Sequence, residues 1–279
     1  MQIVLFMLDR LASLFEHFSL KAHTFQSGPL CGYNKITHQE FGQLHIIREG
    51  TVEVWHGRKK AYAVNQPSLL FYPRSLDRHF IIPDNENAQF VCAHVSFEAG
   101  EANPIASALP ESICLSLASL PQCEKVLSLL FDEASASNCG RQVLLDRLFE
   151  VLLVQLLREL MESGVTKVGM LAGLADLNLR KAIVAIHDKP EKDWTVESLA
   201  AEACMSRSVF SNLFGKVIGQ TPGRYLQSWR IGLVQKWLKN GQPLKLIAEE
   251  AGYKSESALS RAFKAHSGLS PRQWLRNVS

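Results

Sequence analysis

The spacing of hydrophobic positions changes character twice along this chain. From about residue 20 to 100, apolar residues alternate or come in short β-branched bursts. The stretches "QLHIIREGTVEVWHG", "AYAVNQPSLLFYPRS" and "QFVCAHVSFEAG" are separated by Pro, Gly, Asn and Asp. This pattern predicts several short strands, spaced as in a small barrel or sandwich. Glu49-Gly50 predicts a turn, and Arg58-Lys59-Lys60 a solvated hairpin tip.

After "NPIASALP" the period becomes helical, from about residue 122 to 163. Leu144, Leu148, Leu152, Leu156 and Leu160 recur every fourth residue, and Leu145, Phe149, Leu153 and Leu157 widen the stripe. Such a stripe must be covered. It predicts packing against the strands and a neighbouring helix, and equally a dimer interface. The glycines of "ESGVTKVGMLAGLAD" predict a junction, and from Asp176 the chain reads as helical to its end. "MQIVLFMLDRLASLFEHF" lacks a basic start and predicts an amphipathic first helix rather than a signal peptide. No stretch approaches the roughly 20 apolar residues that span a bilayer.

The expected fold class is therefore α+β. Residues 1–165 form an N-terminal β-barrel with helices, 166–173 a linker, and 174–279 an all-α domain.

The helical third contains an internal repeat. Leu199, Ala200, Ala203 and Cys204 match Ile247, Ala248, Ala251 and Gly252. After a one-residue insertion, Ser206, Ser208, Phe210, Ser211, Leu213, Phe214, Gly219 and Pro222 match Ser255, Ser257, Leu259, Ser260, Ala262, Phe263, Gly268 and Pro271. Each match has a physical task. The alanines allow helices to cross closely. Gly252 suits a tight turn, and Ser206 and Ser255 suit N-caps. Phe210/Phe214 and Leu259/Phe263 are i,i+4 anchors, and Gly219 and Gly268 end the helix. The unit is a helix-turn-helix, present twice. Between the copies, "RYLQSWRIGLVQKWLKNG" predicts one long spacer helix.

The residues left pointing outward are Arg207, Ser208, Ser211, Asn212 and Lys216 in the first copy. In the second they are Lys254, Glu256, Ser257, Ser260, Arg261 and Lys264. Cations and short hydrogen-bonding side chains near a helix start are what a recognition helix needs in a major groove. Arg261 suits a bidentate contact to guanine, and Asn212 one to adenine. Charge agrees with a polyanionic partner. The net charge of +3 divides into 13 Lys/Arg against 7 Asp/Glu from residue 190 onward, and 17 against 20 before it. A merely solvated surface accommodates the same imbalance.

The six cysteines (Cys31, Cys92, Cys114, Cys123, Cys139, Cys204) form no CxxC pair. They argue against a zinc site or disulfide framework and for a reducing cytoplasm. Cys92 and Cys204, in apolar surroundings, read as small core residues.

Both repeats, "WRIGLVQKWL" and "IAEEAGYKSESALSRAFKAHSGLSP" together resemble the DNA-binding domain of AraC/XylS-type transcription regulators, over residues 174–276. The resemblance implies base-facing roles for Ser208, Ser211, Asn212, Glu256, Ser257, Ser260 and Arg261. It places Arg207, Lys254 and Lys264 at phosphates. The first recognition helix has few long side chains to offer. "LHIIREGTVEVW", "PSLLFYPRSLDRHFI", "FVCAHVSFEAGEANPIASALP" and "LLRELME" resemble the cupin-type sensor domain of one AraC subgroup. The implied protein is a cytoplasmic, homodimeric regulator that binds double-stranded DNA under control of a small effector.

Candidate effector-binding residues are His38, His45, Trp55, Tyr72 and His79. Metal cupins use two close His, a Glu and a later His. Here Ile36, His38, Gln43 and His79 fall near those places, so no cofactor is expected, and His38, His45 and His79 are the residual metal candidates. The same side chains also serve as barrel lining. There is no convincing nucleophile–base pair, P-loop or GxGxxG. The alternatives are a metal-dependent cupin enzyme with a helical appendage, and a module whose helices bind protein.

Overall fold

The structure, a computed structural model, describes residues 8–36, 41–84, 86–98, 103–164 and 166–278. The chain divides into two compact units. One comprises the described residues within 20–101 and 109–163, and the other those within 1–19, 102–108 and 164–279.

The first unit carries nine strands: β1 (Leu20–Leu30), β2 (Tyr33–Ile36), β3 (Gly42–Glu49), β4 (Val52–His56), β5 (Lys59–Val64), β6 (Ser68–Tyr72), β7 (Arg78–Ile81), β8 (Ala88–Phe97) and β9 (Ile113–Ser116). They form two antiparallel sheets, ordered β1-β8-β3-β6-β9 and β2-β7-β4-β5. Among the described residues no strand pairing joins the two sheets, so the expected barrel is an open double sheet. Period-two alternation is common to both architectures, which is why the sequence pattern did not separate them. Gly50, at φ +97°, makes the β3–β4 turn against Ala88; a Cβ there would lie 2.7 Å from the Ala88 Cα.

One face of β3, β6 and β8 looks onto β4 and β7. Ile47, Leu70, Phe90 and Cys92 meet Val52, Val54, Val64 and Phe80 in a buried cluster. Each such side chain contributes about 1.5–3 kcal/mol relative to exposure.

Two helices, α3 (Glu124–Ser135) and α4 (Arg141–Glu162), belong to this unit. The leucine stripe lies on α4, with Leu145, Leu148, Phe149, Leu152, Leu153, Leu156, Leu157 and Leu160 all buried within the protomer. Leu144, expected in that stripe, is 40% exposed instead. At the edge strand β1, Asp146 Oδ1 accepts from the Thr24 N–H at 2.7 Å, and Gln142 Nε2 donates to the Thr24 carbonyl at 2.9 Å. These side chains satisfy backbone groups beside the β1 bulge.

The second unit is helical. It contains α1 (Ala12–His17), α2 (Pro104–Ala108), α5 (Met170–Ala175), α6 (Leu179–Asp188), α7 (Val196–Glu202), α8 (Arg207–Ile218), α9 (Pro222–Lys239), α10 (Leu244–Glu250), α11 (Glu256–Ser267) and α12 (Pro271–Val278). The expected boundaries need two corrections. First, residues 8–19 pack in this unit rather than with the strands. Leu14 and Phe18 are fully buried, Phe18 meets Trp229 edge-on at 5.3 Å, and the Ser13 hydroxyl bonds Asp188. An amphipathic face must be buried somewhere, but its sequence does not name the partner.

Second, residues 166–173 are not a free linker. Helix α5 begins within that stretch and buries Met170, Leu171 and Leu174. Gly173 sits so close to Ile218 and Ile183 that a Cβ would fall 2.3 and 2.4 Å from their Cδ1 atoms. Its glycine therefore serves close packing, not chain flexibility.

Candidate nucleic-acid interface

Two copies of one local geometry stand in the helical unit. Helix α7 opens with a capping box. Thr195 Oγ1 accepts from the Ser198 N–H, and Ser198 Oγ accepts from the Thr195 N–H. It closes through Cys204 N–H to the Ala201 carbonyl (2.9 Å) and Met205 N–H to the Ala200 carbonyl (2.9 Å). Helix α10 closes through the matching pair, Gly252 to Glu249 (3.0 Å) and Tyr253 to Ala248 (2.8 Å). Ser206 and Ser255 then cap α8 and α11, accepting from Val209 and Ala258. Each cap contributes about 1 kcal/mol. Gly219 (φ +81°) and Gly268 (φ +75°) terminate both helices in the left-handed conformation.

The copies differ at the turn. Gly252 has φ +73°, and its first-copy counterpart Cys204 has φ +55° with a full side chain. Cys204 is exposed, contrary to the core position expected for it. The turn geometry turns that side chain outward, where Lys181 Nζ approaches its sulfur at 3.9 Å.

The anchors work as the repeat requires. Phe210, Phe214, Leu259 and Phe263 are fully buried. Phe263 packs against Trp274 at 5.7 Å, beside a second cluster of Ile231, Val234, Leu238 and Ile247. With those residues inward, Arg207, Ser208, Ser211, Asn212 and Lys216 are exposed on α8 and its start. Lys254, Glu256, Ser257, Arg261 and Lys264 are exposed on α11 and its approach, and Ser260 is half-buried. Arg207 is engaged with Glu197 (Nε–Oε1 2.8 Å), both side chains being mostly exposed. A surface pair of this kind is worth under about 1 kcal/mol, so it does not commit Arg207 to Glu197.

A groove beside α11 gathers Glu256, Ser257, Ser260 and Arg261 with Ser270 and Arg272 from the start of α12. Ser270 caps α12 together with Gln273, which returns a bond to the Ser270 N–H at 3.0 Å. Ser270 and Arg272 share this groove but lie outside the outward positions read from the recognition helices. The matched prolines Pro222 and Pro271 were the available signal, because they mark where the following helix starts beside each recognition helix.

Residues 9–162 match the Cupin family, and residues 199–277 match the Helix-turn-helix domain family. A transcriptional regulator of the helix-turn-helix type from Haemophilus influenzae is 29% identical over 275 residues, covering 88% of this chain and 91% of that protein. The regulator AlkR of Acinetobacter baylyi is 35% identical over 189 residues, covering 66% and 61%. The chain is an AraC-type transcription regulator with an N-terminal cupin domain. Among solved structures, this regulator is similar to ToxT from Vibrio cholerae bound to an unsaturated fatty acid (14% identity, TM-score 0.40, 92% of this chain and 94% of that chain). It is also similar to the DNA-binding domain of AdpA in complex with a target DNA (27% identity, TM-score 0.34, 36% and 91%).

The regulator's cupin domain holds a buried polar network at one end of its double sheet. His45 lies opposite Cys92 across β3 and β8, and Gln43 lies opposite His94 and Tyr72. Arg78 reaches in from β7. Its Nη2 donates to Gln43 Oε1 and to His45 Nε2 (2.9 Å), Nη1 donates to the Leu76 carbonyl (2.9 Å), and the guanidinium lies 3.8 Å from the Tyr72 ring centroid. With Nε2 accepting, His45 carries its proton on Nδ1 and donates to Cys92 Sγ at 3.0 Å. Burial, reinforced by Arg78, holds the His45 pKa well below its ordinary value. Burial also pushes the Cys92 thiol and the Tyr72 phenol up, and brings Arg78 down to about 10. Arg78 is 4% exposed, its Nε has no hydrogen-bond partner, and no carboxylate pairs with it among the described residues.

Of the five candidate effector residues, His45 and Tyr72 are the two that belong to this network among the described residues. Trp55 and His79 stack on each other at 6.1 Å, and Tyr33 packs on His79 at 5.0 Å. They follow Val54 and Arg78 by one residue on β4 and β7 and so point to the opposite face. His38 lies outside the described residues. His45 and His79 therefore do not converge, and among the described residues no three His, Cys, Asp or Glu are grouped to hold a metal. Arg78, which sequence reasoning passed over, is the central residue of this network. Its signal was a basic residue on the inward phase of a strand.

Proposed function

We propose that this regulator is a cytoplasmic, non-enzymatic protein that reads two successive major-groove segments with α8 and α11. The observation that carries the reading is the duplicated turn-and-cap geometry, which repeats bond for bond and leaves a different outward set on each helix. Asn212 and Arg261 suit bidentate contacts to adenine and guanine. Ser208, Ser211, Ser257, Ser260 and Glu256 supply shorter base-edge contacts, and Arg207, Lys216, Lys254 and Lys264 meet phosphates. Among the described residues no helix is long and apolar enough to cross a membrane.

A small effector acts at the polar end of the double sheet, where His45, Tyr72 and Arg78 meet. The buried guanidinium of Arg78, whose Nε lacks a hydrogen-bond partner and which forms no ion pair with a carboxylate among the described residues, suits an effector carrying an anionic or carbonyl oxygen. Such an effector controls DNA binding only through different affinities for two states of the protein. Homodimerisation uses the side of α4 that its own domain leaves uncovered. Val143 (65% exposed), Leu144 and Val151 (45%) lie there, in place of the buried leucines.

The testing experiment is selection of genomic fragments by the purified full-length protein at near-physiological salt, followed by sequencing. The expected result is an enriched site with two half-motifs about one helical turn, roughly 34 Å, apart. No binding even at low salt overturns the reading.

A further inference from the structure

The repeat explains two recognition helices but not what fixes their separation. Helix α9 connects the copies, with 18 residues and a length of about 27 Å. A helix alone fixes a length. The apolar contacts of Ile231, Val234 and Leu238 with Ile247, Leu259 and Phe263 seat the second copy on it, and a polar tie across the copies would further fix how they rotate about one another.

One side chain does so. Arg230, near the middle of α9, is half-buried between the copies. Its Nε donates to the Pro190 carbonyl at 2.7 Å and its Nη2 to the Lys192 carbonyl at 2.9 Å. Both carbonyls lie in the segment leading into the first helix-turn-helix. Its Nη1 points the other way, to the carbonyl of Gly252 at 3.4 Å, in the turn of the second. Tyr253, the next residue in that turn, lies 5.7 Å from the guanidinium.

The second observation is independent of those bonds. Gly252 lies against the same segment so closely that a Cβ would stand 2.5 Å from the Glu191 carbonyl oxygen and 2.7 Å from Arg230 Nη2. The equivalent turn residue of the first copy is a cysteine, so the turn itself tolerates a side chain. What Gly252 supplies beyond turn conformation is room for Arg230 and residue 191 between the copies.

We infer that Arg230 is a positioning residue that sets the spacing and relative rotation of α8 and α11, and thereby the half-motif spacing the regulator accepts. It does so through backbone carbonyls of both copies without touching DNA. Arginine is required because its planar fork donates in two directions at once, and a lysine ammonium on a flexible stem does not. One base pair of added spacing moves a half-motif by about 3.4 Å and rotates it by about 35°. A clamped pair cannot follow that change, and an unclamped pair can.

This inference rests on the DNA-reading function proposed above. Its test uses the full-length protein and duplexes carrying its own selected site, with the half-motif spacing changed by −1, +1 and +2 base pairs. The wild type is expected to lose about tenfold or more in affinity for each off-register duplex, the tenfold step being 1.4 kcal/mol. Arg230→Met and Arg230→Lys are expected to bind the native spacing more weakly and to bring that preference below about threefold. Their affinity for a duplex with only the second half-motif should stay within about threefold of wild type. Gly252→Ala, which displaces the turn from the other side, is expected to lower the same ratio.

Equal weakening on every spacing by a folded Arg230 variant overturns the inference, as does a wild type indifferent to spacing. Unfolding of both Arg230 variants, read from their melting curves, also overturns it by making the residue a core strut. A wild type that binds no duplex at all fails the DNA-reading proposal instead.

Discussion

Replacing Gly252 by alanine tests the physical account of the two turns. At φ +73°, an L-residue costs about 1–2 kcal/mol relative to glycine. The added Cβ would also stand 2.5 Å from the Glu191 carbonyl oxygen and 2.7 Å from the Glu191 Cα, so the backbone of that segment must move. Overpacking of this kind costs about 1–3 kcal/mol. The sum, less about 0.4–1 kcal/mol from a less flexible unfolded chain, is about 1–4.6 kcal/mol, a large part of the stability of an ordinary domain. Urea unfolding of the full-length protein, followed by tryptophan fluorescence, measures it because Trp194, Trp229, Trp237 and Trp274 all lie in the helical unit. The control is Cys204→Gly at the matching turn. It relieves a left-handed cost of about 1–2 kcal/mol and loses about 0.4–1 kcal/mol through a more flexible unfolded chain. Cys204→Gly should therefore be neutral or stabilising by up to about 1.5 kcal/mol. A loss below about 1 kcal/mol for Gly252→Ala, or equal losses at both turns, would refute the reasoning.

Phe18→Ala should destabilise the helical unit by about 3–5 kcal/mol, because Phe18 is fully buried against Trp229; a melting transition of that unit unmoved by the change would detach residues 8–19 from it. Arg261→Ala should cost about 1–3 kcal/mol at one base position of the selected site, and uniform weakening across sequences would restrict Arg261 to phosphate. Lys264→Ala should weaken all sites and flatten the salt dependence by about one unit, whereas an unchanged slope would remove it from the interface. His187 is fully buried, stacks on Trp229 at 3.8 Å and bonds the Tyr225 hydroxyl at 2.8 Å, and burial pushes its pKa down to about 3 from 6.5. The unfolded chain takes a proton that the folded unit refuses, so stability falls as pH drops from 6.5 towards 3. This group contributes a slope of up to about 1.4 kcal/mol per pH unit. His187→Gln should reduce the acid slope of urea unfolding, and an identical slope would show that His187 is not the group responsible.

Local rules carried much of this protein into its sequence. Ser206, Ser255, Gly219 and Gly268 cap the recognition helices where short-range hydrogen bonding and left-handed φ require them, and those signals need only neighbouring residues. The inward anchors Phe210, Phe214, Leu259 and Phe263 followed from helical period, and the outward residues followed by elimination. The strands of the cupin domain were legible for the same reason. What alternation does not encode is closure, so an open double sheet read as a barrel.

Tertiary structure decided everything that depends on which distant segment covers a face. The apolar face of α1 is the same whether it packs on strands or on Trp229, and only the fold chose Trp229. The glycines near residue 170 read as slack, yet Gly173 is there because Ile183 and Ile218 fill the space a side chain would need. Arg78 and Arg230 looked like ordinary basic residues. Their significance comes from partners 35, 40 and 22 positions away in sequence: Gln43 for the first, and the carbonyls of Pro190 and Gly252 for the second. Sequence fixes periodicity, caps and turns because those are interactions over a few residues. Which buried charge meets which carbonyl is set by the packing of whole elements, and no local pattern carries it.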